Sequence, residues 1–460
     1  MSARPPIVRS LQVPGRVLRS LAARFPERYP ILLDSAADGP LSRLSILGAA
    51  PAAALWQDRE GRLGGLGMTP RGRGFLTSLE SWWLEERTVA RQSLPLPFCG
   101  GWLVFLSYEL AGEVEPRLSL PPSDLPWRGF ALRVPCAVVH DRGTDRVLAV
   151  AEAEASHELD RIEADARGVA ALPEPPAAVR PRATIQEEDA SVFLERVRRA
   201  QEYIRAGDIY QANLSRPWHV ELESDAEVAS LYEALCATNP APFAARVQWQ
   251  GVSILSSSPE RLVNLTGGVV QTRPIAGTRP RSRRPGGDVA ETSELAAHPK
   301  ERAEHVMLVD LERNDLGRVC EAGSVHVDEM MSIESYAHVH HIVSNVSGRL
   351  RAGATPLDVV RAVFPGGTIT GCPKVRCMEI IAELEGEGRG AYTGSLGFLG
   401  RDGTMDLNIL IRTITLRGRH AVFRAGGGIV ADSVPERELE ETRAKARGLL
   451  TAFEPVSAGK

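Results

Sequence analysis

Phe243-Ala244-Ala245-Arg246-Val247-Gln248-Trp249, then Gln250-Gly251, then Val252-Ser253-Ile254-Leu255, is the stretch on which the fold turns. β-Branched and aromatic residues fill two short runs, and a glycine-bearing pair divides them, the pattern of strands joined by a turn. Another strand-like run is Leu407 to Leu416, where Leu410-Ile411-Arg412-Thr413-Ile414 sets an arginine among apolar neighbours. Helices stand around these runs. Phe193, Val197, Ala200 and Ile204 recur at three- and four-residue steps, with Gly207 as a stop. His298-Pro299-Lys300 opens a second helix, with proline in its first turn. A last helix starts after Asp432-Ser433, with Pro435 just inside, and runs to about Phe453. Strands and helices mix without a regular β-α-β alternation, so an α+β sandwich is expected rather than a doubly wound sheet.

Outward from this region, the chain divides once. Leu172-Pro173-Glu174-Pro175-Pro176 and Arg180-Pro181-Arg182 resist both helix and central strand, so 173–186 reads as a linker. It separates an N-terminal region, 1–172, from a C-terminal region, 187–455. Of the 460 residues 43% are hydrophobic and 24% charged, enough for a sizeable core, and the net charge of -4 leaves no footprint for nucleic acid or an anionic membrane. The longest weakly polar run, Leu44 to Trp56, is too short to span a bilayer and holds Pro51. Cys99, Cys136, Cys236, Cys320, Cys372 and Cys377 form no CxxC, which points to reduced thiols and a cytoplasmic setting. The arginine-rich, acid-free start shares its composition with organelle transit peptides but lacks their amphipathic pattern.

Three patterns can carry chemistry. Glu301 and Glu304 share one face of a predicted helix, and Glu438, Glu441 and Lys445 share one face of the last. Two such faces can hold a hard cation such as Mg²⁺, and spacing alone equally fits ordinary surface ion pairs. Phe364-Pro365-Gly366-Gly367-Thr368-Ile369-Thr370-Gly371 and Ala425-Gly426-Gly427-Gly428-Ile429 read as small-residue loops that let backbone approach an anion, or as plain turns. Arg412 either takes an anionic partner, for which a carboxylate suits its fork, or faces water from an edge strand. Of His338, His340 and His341, alternation scatters a metal cluster and leaves His341 as a polar site residue.

Taken together, these residues carry a resemblance. From Asp189 to Phe453 the chain resembles the chorismate-binding domain of anthranilate synthase and aminodeoxychorismate synthase large subunits (component I). The matching runs are Gly207 to Leu214, Ser258-Pro259-Glu260, Pro274 to Thr278, Glu304 to Asp310, Arg313 to Arg318, Gly366 to Lys374 and Gly428 to Ser433. The N-terminal region matches more loosely through Leu32-Leu33-Asp34-Ser35, similar to the family's tryptophan pocket, and Gly100-Gly101-Trp102, with Ser107 where the family has glycine. The resemblance implies a large two-sheet β sandwich flanked by helices. It implies Mg²⁺ held by Glu304 and Glu441, with Glu301 and Glu438 behind them through water. Arg412, Tyr392 and the amides of Gly426, Gly427 and Gly428 match the clamp on the enolpyruvyl carboxylate, and Lys445 lies beside it on the last helix. Thr278, Thr368 and His341 match polar pocket residues. Glu260 matches the general acid that protonates the departing C4 hydroxyl, a task that needs a raised pKa. Gln211 stands where related isochorismate and salicylate synthases carry a water-activating lysine, which implies amination in place of hydration.

The product follows from finer resemblances. Tyr210 to Leu214, Asn239 to Ala245, Glu334-Ser335-Tyr336 and Val339 to Ser344 are similar to aminodeoxychorismate synthase. They imply 4-amino-4-deoxychorismate, for p-aminobenzoate and folate. Ala276 departs from this: many such enzymes carry a lysine nucleophile there, whereas alanine is typical of anthranilate synthases, the alternative, which serve tryptophan biosynthesis. No Gly-x-Cys-x-Gly elbow is present, so ammonia is expected from a glutamine amidotransferase subunit.

Overall fold

A computed structural model describes residues 4–37, 39, 41–88, 96–173, 180–224, 228–280, 299–335 and 339–453. Phe243–Trp249 and Val252–Ser258 pair antiparallel around Gln250-Gly251. Both turn residues are left-handed, with φ of 46° and 76°, the backbone that tight two-residue hairpins need. Ala245, Val247, Val252 and Ile254 enter one apolar core, and Leu255 points to another on the opposite face, as a period of two requires.

This hairpin sits inside a twelve-stranded antiparallel sheet, between Ile31–Asp34 and Thr413–Arg417. A second, eleven-stranded sheet includes the pair Gly101–Leu106 and Ser395–Gly400. Residues of both sheets, such as Ile254 and Phe105, share the core between them. The first sheet's other face packs on helices Val17–Arg24, Glu158–Ala170, Val228–Thr238 and Pro435–Thr451. The second sheet's other face meets Phe75–Glu86, Pro299–Gly317 and Pro356–Val363. The architecture is the expected α+β sandwich flanked by helices.

Helices at Ala190–Arg205, Pro299–Gly317 and Pro435–Thr451 stand where periodicity and proline placed them. Both sheets draw strands from 1–172 and from 187–455. The 173–186 stretch ends in a strand, Ala183–Glu187, paired with Gln211–Leu222, while residues 174–179 lie outside the described set. Among the described residues no helix is long and apolar enough to cross a membrane.

Two local expectations need correction. Leu407 to Leu416 is not one strand: Met405–Asn408 belongs to the eleven-stranded sheet and Thr413–Arg417 to the twelve-stranded one. Ile409 to Arg412 cross from one sheet to the other, and Arg412 takes a φ of 51°, a left-handed corner that no apolar pattern announces. The Gly426-Gly427-Gly428 run is not a loop either. It lies in His420–Ile429, laddered to Asn213, Leu214 and Ser215. Pairing with Thr413–Arg417 on its other edge stops at Phe423, so beyond that point the strand is laddered on one side.

Candidate active site

Glu260 follows the Val252–Ser258 strand, and Ile409, at the start of the crossing, donates its amide to the Glu260 carbonyl at 3.0 Å. The side chain is 5% exposed, and its Oε1 accepts a hydrogen bond from the Thr368 hydroxyl at 2.8 Å. Burial pushes the Glu260 carboxyl up to about 7; the Thr368 hydroxyl opposes this and the nearby Glu312 charge adds to it. A carboxyl so placed holds its proton near neutral pH, as a general acid must.

Arg412 is half-buried at its corner and donates to Asn239 Oδ1 at 3.4 Å. Among the described residues no carboxylate comes within ion-pair distance of it. Burial lowers its pKa, and the Glu260 charge works the other way. A guanidinium in this setting suits a carboxylate ligand better than solvent. His341 lies close by: burial first, then the Arg412 charge, push it down to about 4, so the imidazole is neutral. Thr278 stands opposite His341 in the ladder between Ile275–Pro280 and Val339–Arg349. His340 points to Ser335 Oγ at 2.8 Å, and His338 lies outside the described residues.

The glycine strand gathers the rest. A Cβ on Gly428 would stand 2.1 Å from Gln211 Nε2, and one on Gly426 would stand 2.9 Å from the Tyr392 hydroxyl and 2.3 Å from the Leu214 carbonyl. Only glycine admits these neighbours. Gln211 Nε2 donates to Glu304 Oε1 at 3.2 Å, and Gln211 Oε1 is buried without a partner among the described residues. From Gly427, a Cβ would meet Glu441 Oε1 at 3.4 Å and Glu438 Oε2 at 3.5 Å. Lys445 bridges Glu441 at 2.7 Å and the Gly426 carbonyl at 2.9 Å. Glu304 thus reaches the glycine strand through Gln211, and Glu438 and Glu441 reach it directly. Glu301 is half-buried one helical turn before Glu304.

Among the described residues no three His, Cys, Asp or Glu side chains form a ready metal cage. Mg²⁺ asks for less, one or two carboxylates plus water and substrate oxygens. Glu304 beside Gln211, and Glu438 with Glu441 at Gly427, are oxygen donors of the kind such a hard cation takes.

Behind the site lies a charge network with no clear signal in the sequence. Arg389 grips Glu385 through Nε at 2.9 Å and Nη2 at 2.6 Å, and donates to the carbonyls of Ile369 and Asn213. Arg424 reaches the same carboxylate at 3.1 Å. Its three members therefore tie the Thr368 turn, the Gln211 strand and the glycine strand together. Glu312 was also missed. Its only signal is its place on the face of Leu308 and Leu316, an acid among buried neighbours.

Two hollows lie outside this cluster. One, of about 850 Å³, is lined by Tyr210, Cys372 and Lys374, behind the Gln211 strand. Another, of about 300 Å³, takes in Leu33, Asp34, Ser35, Phe243 and Asn408. Asp34 there is engaged by Arg19 at 2.7 Å and by Ser45 at 2.8 Å.

A family described as chorismate binding enzyme matches residues 47–451. Anthranilate synthase component 1 of Streptomyces coelicolor is 41% identical over 94% of this chain and 85% of its own. Aminodeoxychorismate synthase component 1 of Bacillus subtilis is 39% identical over 93% and 92%. The crystal structure of anthranilate synthase component I from Streptococcus pneumoniae superposes with a TM-score of 0.79 at 31% identity, covering 88% of this chain and 92% of that one.

Proposed function

The chain belongs to the chorismate-binding enzyme family, and from that premise we propose that it aminates chorismate to anthranilate, with Mg²⁺ bound and ammonia supplied by a glutamine amidotransferase subunit. Glu260 is the observation that carries amination chemistry: a buried carboxyl, pushed up to about 7, hydrogen-bonded to Thr368 and facing Arg412. Glu260 gives its proton to the C4 hydroxyl, the C4–O bond breaks, and water leaves. Ammonia forms the C2–N bond as the ring double bonds shift. Loss of the C2 proton and of the enolpyruvyl group as pyruvate then yields the aromatic amine, so chorismate and ammonia become anthranilate, pyruvate and water.

Arg412 and the glycine strand hold the enolpyruvyl carboxylate, with Tyr392 packed against Gly426. Neutral His341 offers a hydrogen bond without adding charge. Glu304 and Glu441 would hold Mg²⁺, with Glu301 and Glu438 behind them. Bound there, it supplies a positive charge to the ring carboxylate as the leaving group departs. Glu304→Gln or Glu441→Gln is expected to cut turnover at least about 100-fold while circular dichroism stays unchanged. Parental rates in Mg²⁺ for either variant would remove the metal assignment.

Anthranilate is preferred to the aminodeoxychorismate first expected from sequence. Ala276 is 7% exposed in the Ile275–Pro280 strand, next to Ile275, whose backbone bonds Glu260, and it brings no nucleophile there. Two of the three likenesses above also carry the anthranilate synthase name. The second reading, 4-amino-4-deoxychorismate, is favoured by the Tyr210 to Leu214 and Asn239 to Ala245 runs and by the Bacillus subtilis relative. Chorismate, Mg²⁺ and ammonium salt distinguish them. We expect fluorescent anthranilate with equal pyruvate and no added lyase. An amine that releases pyruvate only after a lyase is added would select the second reading.

A further inference from the structure

Glu312 lies on the Pro299–Gly317 helix about two turns beyond Glu304, and it is 6% exposed. Its carboxylate takes a backbone hydrogen bond at Gly367. Gly367 packs so closely that a Cβ there would stand 3.1 Å from Glu312 Oε1 and 2.5 Å from Leu311 Cδ2. The next residue, Thr368, gives its hydroxyl to Glu260 at 2.8 Å. One turn of chain is thus held between two buried carboxyl groups, one on its backbone and one on its side chain. No role in the reaction above falls to Glu312.

We propose that Glu312 is the positioning residue for the general acid: it holds the Gly367-Thr368 turn against Glu260. Its charge works in the same direction, favouring the protonated form of Glu260. This rests on the reading of Glu260 as the acid. The physical reason is that two carboxyl groups buried near each other do not both ionise readily, so each favours the protonated form of the other. Other charges face the pair from every side. Glu260 is faced by Arg412 from the crossing and by Lys445 from the last helix. Glu312 is faced by Asp315 of its own helix and by Lys374 at the start of the Lys374–Glu385 helix, which is itself ion-paired with Asp315. Burial and Asp315 raise Glu312, and Lys374 opposes them.

Glu312→Gln keeps an oxygen for the Gly367 backbone but removes the charge, and Arg412, Lys445, Asp315 and Lys374 remain. With ammonia as nitrogen source, the alkaline fall of kcat should move to lower pH by about half a unit or more, because Glu260 then loses its proton more easily. At pH 6 kcat should stay within about threefold of the parent, since the hydrogen bond survives. Glu312→Asp keeps the charge and withdraws from Gly367. Its kcat should fall about tenfold or more with the alkaline limb in place and KM for chorismate nearly unchanged. The aspartate variant carries the test alone if the glutamine variant does not fold. An unmoved limb in the glutamine variant, or parental kcat in the aspartate variant, overturns the proposal. Glu260→Gln is run alongside. If it keeps parental activity, the reading of Glu260 has failed; if it is inactive while both Glu312 variants behave as the parent, only the present proposal has.

Discussion

Glu260→Gln is expected to lower kcat by about 10²- to 10⁴-fold, the usual worth of a positioned general acid, and at the same time to stabilise the protein at alkaline pH. Both effects come from one displaced proton. The folded-state carboxyl sits at about 7 against 4.5 for the free group. Between those values the folded chain holds a proton that the unfolded chain has released, so stability falls as pH rises through that window. Above it the cost is fully present, about 3–4 kcal/mol for a shift of this size. Glutamine never ionises and escapes it. Urea titrations at pH 8 should therefore favour the variant by that amount, and at pH 4 the two proteins should converge. Activity within tenfold of the parent, or an equal gap at both pH values, would show that Glu260 is not a protonated acid in the folded enzyme.

The second large effect is on the fold. Glu385, Arg389 and Arg424 are exposed by only 1%, 1% and 4% at their side chains. Burial alone would raise the Glu385 carboxyl, but the guanidinium groups of Arg389 and Arg424 outweigh it and hold it below its ordinary value. That contribution is present above the unfolded carboxyl's pKa and is lost as pH falls through the lowered folded value. Glu385→Gln leaves the buried Arg389 guanidinium without its countercharge and Arg424 with only the half-exposed Glu387 at 2.7 Å, and a loss of about 3–5 kcal/mol is expected. The denaturation midpoint reads it directly. A change below about 1 kcal/mol would mean that water reaches the network. The Ile369 and Asn213 carbonyls held by Arg389 belong to the turn and the strand that carry Thr368 and Gln211, so turnover should fall with stability.

Much of this was legible in the chain itself, and what was not has physical causes. Local periodicity placed the Ala190–Arg205 helix and the hairpin at Gln250-Gly251, because each depends on neighbours within a few residues. The crossing at Ile409 to Arg412 was hidden. Its apolar residues read like a strand, and what breaks it is the left-handed backbone at Arg412, adopted by a residue type that gives no warning. The glycine run misled in the other direction, since glycines that signal a turn by composition here serve a ladder where side chains would collide. Of the residues that the resemblance supplied, Gln211, Tyr392, Glu438, Glu441 and Lys445 lie against the glycine strand, but no spacing along the chain links Gln211 to Glu304. That contact depends on Gln211–Leu222 lying beside His420–Ile429, strands far apart in sequence. Glu385 and Arg389, four apart, look like any surface pair until tertiary packing buries them.

The pairing of Ile31–Asp34 with Phe243–Trp249, and of Gly101–Leu106 with Ser395–Gly400, bears on how such a gene can change. Recombination that joined the first 172 residues to a foreign partner would leave both sheets torn along interior edges, with rows of amides and carbonyls opened to solvent. The proline-rich stretch looks like a seam and is no place to cut. The two regions have to be inherited together, and substitutions in one are answerable to the strands of the other.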